Sequence, residues 1–118
     1  MTPLQAGTWK INANGYKGEL VIELGGTSGD LTQITGTLYD QKIVGHYDAR
    51  RLRLNFLRMI SPKDPTSYQW FTGYLFWKHE NTKKGHVMAG TFGSFGPGGT
   101  VNEMLEAGWV AERSAKKE

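Results

Sequence analysis

His46 and Asp48 form the residue pattern best suited to acid–base chemistry in this chain. His46 lies in a predicted strand and Asp48 follows directly after its end, two residues on, so both side chains are expected on the same face. The alternative is an ordinary surface pair on the outside of the fold. The sequence has no Gly-x-Ser-x-Gly elbow, His-Glu-x-x-His motif or nucleotide-binding loop. We therefore predict a protein that binds rather than catalyses, and an enzyme ranks behind two binding hypotheses.

A metal site would need ligands that this sequence supplies only sparsely. His79 and His86 flank a polar turn and would meet only if their strands formed a hairpin, and no third ligand is evident. The chain has no cysteine, which excludes cysteine-ligated metals and disulfides. The glycine-rich segment 93–99 lacks the lysine and the strand–loop–helix context of a phosphate loop, so we interpret it as a flexible connection. We predict no metal and no cofactor.

Composition limits the class of partner. The net charge is +3, and the basic residues are spread out apart from residues 50–53 and the tail. A nucleic-acid-binding protein more often has a concentrated basic face, so we predict no nucleic-acid partner. No apolar run approaches the ~20 residues of a membrane helix, so we predict no membrane partner either. The first residues lack a signal-peptide pattern. We expect a soluble protein, cytoplasmic or secreted after removal of a signal peptide not present here.

A Gly-x-apolar motif recurs along the chain and indicates the elements that must position any site. Glycine weakens a strand, so a glycine in nearly every strand favours a sharply coiled sheet, as at the corners of a small barrel. Each glycine shares a face with the bulky residue two positions later, which suits a narrow interior of alternating small and large side chains. The seven bulky residues of the motif are Trp9, Leu20, Leu38, Tyr47, Leu75, Phe92 and Val110.

The 118 residues are predicted to form a single domain of eight strands with no convincing helix, ending in a solvated tail at about 114–118. The predicted strands span about 5–12, 16–24, 31–39, 42–47, 51–60, 68–78, 86–95 and 104–113. Residues 25–30 are predicted to be a loop, and 102–107 allow a short helical turn. Short links favour an all-β, antiparallel up-and-down barrel, whose interior is filled or holds one small ligand. An open two-sheet sandwich is the alternative.

Three segments at these positions resemble a known family. Gly7-Thr8-Trp9 resembles the opening of the calycins, the lipocalin and avidin-type barrels. Segment 35–39, followed by 43–48, is more specifically similar to avidin and streptavidin, as is 70–74. The resemblance implies a central cavity and a homo-oligomer, either a dimer or a tetramer. It also implies that Trp9 closes one end of the barrel, stacked on a basic side chain, for which Arg113 is the first candidate and Arg58 the second.

The positions that contact biotin in avidins differ here. Ile11 stands where avidins place an asparagine, and Leu57-Arg58 stands where they place an aromatic residue. The link at residues 39–41 is too short to be the flexible lid that those proteins close over biotin. The sequence therefore argues against biotin and leaves the ligand open.

Residues that share the glycine face are predicted to line the interior. The candidate ligand-binding residues are Tyr47, Asn55, Arg58, Ser67, Gln69, Phe71 and Trp77. Either Asn55 or Arg58 projects inward, depending on the register of the fifth strand. An inward arginine needs a carboxylate partner or an anionic ligand, because an unpaired buried charge is costly. A salt bridge from Arg58 to Asp48 or Glu106 is the structural alternative.

The opposite face carries large aromatic residues that a soluble monomer rarely exposes together. The row consists of Tyr68, Trp70, Tyr74 and Phe76 in the sixth strand, with Trp109 on the last strand. Large aromatics dominate the centres of protein interfaces, so we predict a homo-oligomer that packs barrel against barrel through this row. One alternative is that the faces are reversed and the row fills the core. The other is a lectin-like protein that binds carbohydrate on its surface aromatics.

Overall fold

The computed structural model describes residues 4–76, 87–95 and 101–113. Eight antiparallel strands form a closed barrel in which each strand pairs with its neighbours in the chain, and the last strand pairs back with the first. The predicted up-and-down barrel is confirmed, and the sandwich is wrong. The strands are β1 (Gly7–Ala13), β2 (Tyr16–Ser28), β3 (Leu31–Leu38), β4 (Gln41–Asp48), β5 (Arg53–Arg58), β6 (Gln69–Leu75), β7 (Val87–Phe95) and β8 (Val101–Glu112). A 3-10 turn, Pro65–Ser67, lies between β5 and β6.

The Gly-x-apolar motif marks the inward face in six of its seven occurrences. Five of its bulky residues are buried and Phe92 is half-buried; the buried ones are Trp9, Leu20, Leu38, Tyr47 and Leu75. The glycines allow the sheet to coil tightly, because a Cβ on Gly90 would collide with the carbonyl oxygen of Thr72 on the neighbouring strand. The coiling predicted from glycine inside strands therefore has a steric cause.

The motif fails on β8, where the predicted faces are reversed. Trp109 is 4% exposed and lies in the core, whereas Val110 is 39% exposed. The predictions that Trp109 belongs to an outer aromatic row and that Val110 lines the interior are both wrong. Register explains the reversal, because Trp109 pairs with Gly90 on β7, and both residues face inward.

The indole of Trp109 is held by the backbone of two neighbouring strands. Its Nε1–H donates to the carbonyl oxygens of Thr72 at 3.2 Å and Thr91 at 3.0 Å. The ring reaches these carbonyls because Gly73 has no side chain, and a Cβ there would lie 2.6 Å from the indole Cζ2. A buried indole needs a hydrogen-bond acceptor, and this arrangement supplies two.

Two segments for which a loop or a helical turn is expected belong to strands. Residues 25–28 are predicted to be a loop, but β2 continues to Ser28 and pairs with β3 beyond a bulge between Leu24 and Thr27. The connection shrinks to the turn at Gly29 and Asp30. Residues 102–107 belong to strand β8, so the helical alternative there is wrong. Glycines that are typical of loops also occur in strands at a bulge, where the ladder of hydrogen bonds is interrupted.

Two tight hairpins shape one end of the barrel, which we call the mouth. The β1–β2 turn has positive φ at Asn14 (52°) and Gly15 (96°), and the β3–β4 turn has positive φ at Tyr39 (52°) and Asp40 (66°). Two successive positive φ angles are typical of type I′ turns, which match the twist of the strands that they join. The β5–β6 connection lies at the same end. Tyr39 is therefore carried on a short rigid turn at the mouth.

The opposite end of the barrel is closed by the N-terminal segment. Leu4 and Trp9 are buried there, and the Trp9 Nε1–H donates to the Gln5 carbonyl at 3.0 Å. Arg113 lies at this end too, and its Nε–H donates to the Ala6 carbonyl at 3.2 Å. The cation–π contact within residues 4–76, 87–95 and 101–113 is instead between Arg58 and Tyr39, at the mouth.

Candidate functional site

The mouth opens into a cavity of about 470 Å³ inside the barrel. Ligand pockets for small molecules have volumes of roughly 300–1,000 Å³, so the cavity has the size of a small-molecule site. Six strands and the β3–β4 turn contribute to it. The described lining residues are Ala13, Asn14, Tyr16, Lys17, Tyr39, Arg58, Gln69, Phe71, Phe92, Ser94 and Ala107.

Three phenylalanine rings are stacked face to face below the mouth, where Phe71 and Phe92 line the cavity, and we call the three the phenylalanine stack. Phe56, Phe71 and Phe92 are cross-strand neighbours on β5, β6 and β7. The centroids of Phe56 and Phe71 are 4.8 Å apart with planes 6° from parallel, and those of Phe71 and Phe92 are 4.9 Å apart with planes 9° from parallel. Trp109 meets the Phe71 ring edge-on, with centroids 6.1 Å apart. The floor of the cavity is thus aromatic and is packed against Trp109 in the core.

A row of polar side chains crosses the mouth one layer above the stack, and we call it the polar belt. Arg58 and Gln69 are paired residues, each two positions from a stacked phenylalanine and on the same face. Arg58 Nη1–H donates to Gln69 Oε1 at 2.8 Å, and Gln69 Nε2–H donates to Ser94 Oγ at 3.3 Å. The Arg58 Cζ lies 4.9 Å from the centroid of the Tyr39 ring.

Tyr39 completes the polar belt from the hairpin side. Its ring packs against the backbone of Gly18, where no other residue would leave space for it. Its hydroxyl donates to the Tyr16 carbonyl at 2.6 Å. Burial raises the pKa of Tyr39 above the usual value for tyrosine, because the surroundings disfavour the charged phenolate.

Arg58 faces inward without an acidic partner in the described part of the chain. The proposed ion pair with Asp48 is not formed, because the Asp48 carboxylate is bound to Arg51 Nη1 at 2.8 Å and to the turn amides of Arg50 and Arg51. No described salt bridge joins Arg58 to Glu106, whose side chain is exposed. The buried Nε–H of Arg58 has no described acceptor. Burial lowers the pKa of Arg58, because the surroundings disfavour its charge.

The structure brings three of the seven predicted ligand-binding residues together at the mouth: Arg58, Gln69 and Phe71. Tyr47 is buried in the core and does not line the cavity. Asn55 faces outward and lines the outer groove described below, because it alternates with the inward residues Leu54, Phe56 and Arg58 of β5. Ser67 lies in the 3-10 turn, where its Oγ donates to the Asp64 carbonyl at 2.7 Å and accepts from the Ser61 amide at 2.9 Å. Trp77 lies outside the described residues.

Other parts of the site are missing from the sequence-based prediction. Tyr39, Ser94 and Phe56 join the polar belt or the phenylalanine stack. The local signal for Tyr39 is its place in a two-residue hairpin link, which brings it next to β2. Phe56 precedes Arg58 by two residues and therefore shares its face. Nothing local identifies Ser94, because its role depends on its register pairing with Gln69.

A second depression, the outer groove, lies on the outside of β3 to β6 and has a volume of about 900 Å³. Its side chains include Gln33, His46, Asn55, Leu57, Trp70 and Thr72. The Trp70 ring covers Gly93, where a Cβ would lie 2.7 Å from the indole Cζ2. The Trp70 Nε1–H is buried and has no described acceptor. Because Asp48 is bound to Arg51, His46 does not share that carboxylate in a catalytic pair.

The predicted outer aromatic row is present in part. Tyr74 and Phe76 are 51% and 42% exposed, and Trp70 is half-buried on the same outer side. Tyr68 precedes β6, and its hydroxyl donates to the Pro62 carbonyl at 3.0 Å. These four residues do not fill the core, so the reversed-face alternative is wrong for β6.

Neither the described side chains nor comparisons with known proteins assign this site to a known class. Within residues 4–76, 87–95 and 101–113, no three His, Asp or Glu side chains are grouped so that they could hold a metal ion. The same residues include no helix of the length and apolarity needed to span a bilayer. No protein-family model matches the chain, and searches of curated proteins and of solved structures likewise give no match.

Proposed function

We propose that this chain is a non-catalytic binding protein that holds one small organic molecule in the mouth of its barrel. The observation that carries the proposal is the cavity of about 470 Å³ with an aromatic floor and a few convergent polar groups. Small-molecule sites combine predominantly apolar walls with a small number of polar groups that fix orientation. The phenylalanine stack supplies the first and the polar belt the second.

The resemblance to avidin-type barrels supports a ligand site at the mouth. The residues that differ from those of avidins argue for a ligand other than biotin. Ile11 is buried in the core, and Leu57 lines the outer groove, so neither supplies a polar or aromatic contact at the mouth. A site without the matching hydrogen-bond partners discriminates strongly against a polar ligand, because buried groups are left unpaired. We therefore propose an avidin-like architecture whose ligand is not biotin.

A fragment screen by protein-observed NMR tests the proposal directly. We expect binders that perturb resonances of Phe71 and Gln69, and we expect Ala107→Trp to abolish their binding because the new indole would fill the cavity. Val110→Trp is the matched control, since it adds the same side chain to the exposed face of the same strand. The proposal fails if no fragment binds at the mouth, or if every binder tolerates Ala107→Trp.

Carbohydrate binding in the outer groove is the second candidate. The groove combines an aromatic ring at Trp70 with hydrogen-bonding groups on Asn55, His46 and Thr72, which are the side-chain types that suit sugar hydroxyls. Binding on a glycan array that is lost in Asn55→Ala, with an unchanged melting temperature, would favour this function. An array without signal would exclude the sugars presented.

We also propose that two or four copies assemble through the outer aromatic row. Tyr74 and Phe76 expose a large apolar area on the same side as Trp70. This assembly competes with carbohydrate binding, since both would use the surface around Trp70. The oligomeric state is therefore informative for both ideas.

A further inference from the structure

The charged side chains among the described residues that line the cavity have one sign. Arg58 and Lys17 line the cavity, and no acidic side chain is among its described lining residues. Arg58 is half-buried, and a guanidinium that leaves water without an opposite charge is strongly disfavoured. The mouth thus carries an electrostatic cost that a bound anion would relieve.

After the hydrogen bonds within the polar belt are formed, the group that still lacks a described partner is a donor, the Nε–H of Arg58. The Gln69 Oε1 already accepts from Arg58, and the Gln69 Nε2–H is directed to Ser94. The Arg58 Nε–H is buried with no described acceptor. The Tyr39 ring contributes the negative face of its π system, which compensates the charge only partly. An oxygen anion is the group that satisfies both the charge and the donor.

The shape of the cavity restricts which anion fits. The phenylalanine stack lies one layer below Arg58, so a ligand that reaches both has a charged end and an apolar body. A carboxylate is planar and carries a single charge, which matches one guanidinium in a bidentate arrangement. A dianionic phosphate would need more donors than the described belt offers.

We propose that the mouth binds organic carboxylates with an apolar body, with the carboxylate on Arg58 and the apolar body against Phe71 and Phe92. This inference rests on the proposed function, because it names the ligand class of the same site. Arg58 then sets specificity for charge, and Phe71 and Phe92 set it for an apolar body. Gln69 positions the guanidinium through the hydrogen bond to its Nη1.

Titration calorimetry with three matched pairs tests the inference: benzoate with benzamide, cinnamate with cinnamamide, and 2-naphthoate with 2-naphthamide. Each amide keeps the shape and removes the charge. We expect at least one acid to bind on the order of tenfold more tightly than its amide, as for hydrogen bonds to charged groups. Arg58→Gln should remove that preference and Arg58→Lys should restore part of it. Lys42→Gln, the same charge loss on the exposed outer face, should leave it unchanged.

The outcomes separate this inference from the function on which it rests. Equal binding of acids and amides, or a preference that survives in folded Arg58→Gln, overturns the charge assignment while a ligand site at the mouth stands. Absence of binding by all three acids overturns the carboxylate class, and neutral fragments that bind at the mouth would still support the proposed function. Folding of each variant is checked by its melting curve, and Arg58→Lys keeps the test valid if Arg58→Gln does not fold.

Discussion

The indole of Trp109 occupies the space that Gly73 leaves open, so close that a Cβ on the glycine would lie 2.6 Å from Cζ2. The two residues are far apart in sequence and belong to β8 and β6, which are separated by β7 in the barrel. Gly90 on β7 is paired with both residues, so Gly73, Gly90 and Trp109 lie side by side on the inward face of three adjacent strands. The three positions share one large side chain, the Trp109 ring, which fills the space that Gly73 leaves open. This sharing decides which way β8 faces.

Substitution of Gly73 by alanine should therefore destabilise the barrel. The new methyl group would meet the Trp109 ring and, at 2.7 Å, the Ala89 carbonyl oxygen, which cannot move without its strand. We expect the free energy of unfolding in urea to fall by about 1–3 kcal/mol, as for overpacked cores. Gly26→Ala is the control, since its Cβ would meet nothing within 4 Å and should cost nothing. Equal effects of the two substitutions would contradict this account.

Tyr47 should make the barrel sensitive to alkaline pH. Burial, and secondarily the Asp48 charge, raises its pKa from 10.0 to about 12. The unfolded chain therefore loses the phenol proton first, and stability that is fully present below pH 10 is lost as the pH rises toward 12. The slope approaches about 1.4 kcal/mol per pH unit.

Tyr47→Phe isolates this contribution because it removes the ionisable group and keeps the ring. The free energy of unfolding, measured by urea titration between pH 8 and 12, should fall more steeply for the wild type than for the variant. Parallel curves would mean that Tyr47 titrates alike in the folded and unfolded chains.

Asp48 should have the opposite effect in acid. The hydrogen bond from Arg51 holds the pKa of this carboxyl below its usual 3.8, with help from the turn amides. Its contribution to stability is present above about pH 4 and is lost as the pH falls through the lower folded-state pKa. We expect Asp48→Asn to be less stable than the wild type at pH 6, and the gap to narrow toward pH 2. A gap independent of pH would refute the ion-pair contribution.

Tyr74→Glu tests the proposed assembly without disturbing the barrel. The Tyr74 side chain is 51% exposed, whereas Trp70 covers Gly93 and its replacement would damage the fold. Light scattering should give a dimer or tetramer for the wild type and a monomer for Tyr74→Glu. Thr35→Glu, an exposed outer position on β3, should keep the wild-type mass. A monomeric wild type would exclude the interface.

Local spacing predicts the barrel because most strand glycines share the inward face with the residue two positions later. The rule fails at Gly108, which is exposed. A three-residue motif does not show whether a neighbouring strand leaves room inside the barrel for the residue beside the glycine. The environment of Trp109 is set by glycines on two other strands. The loop prediction for residues 25–28 is wrong for a similar reason. These residues extend β2 only because the strand continues to pair with β3, and a local glycine pair does not reveal that pairing.

The sequence predicts the parts of the candidate site that depend on alternation within one strand. Alternation places Gln69 and Phe71 on one face, and the need of an inward arginine for a partner identifies Arg58. The contacts of Ser94 and Tyr39 depend on the register of β6 with β7 and on a turn reaching across the mouth. Such convergence is a property of the closed sheet and has no signature in any one segment.

The edge-on contact between Trp109 and Phe71 gives this protein an optical reporter of its own site. The indole is shielded from water and anchored to two carbonyls, so its emission responds to the field around Phe71 and little to the solvent. A molecule that settles on the floor of the cavity changes that field. If a molecule binds at the proposed site, the same ring that completes the core would therefore contribute a change in the tryptophan emission, without any attached dye.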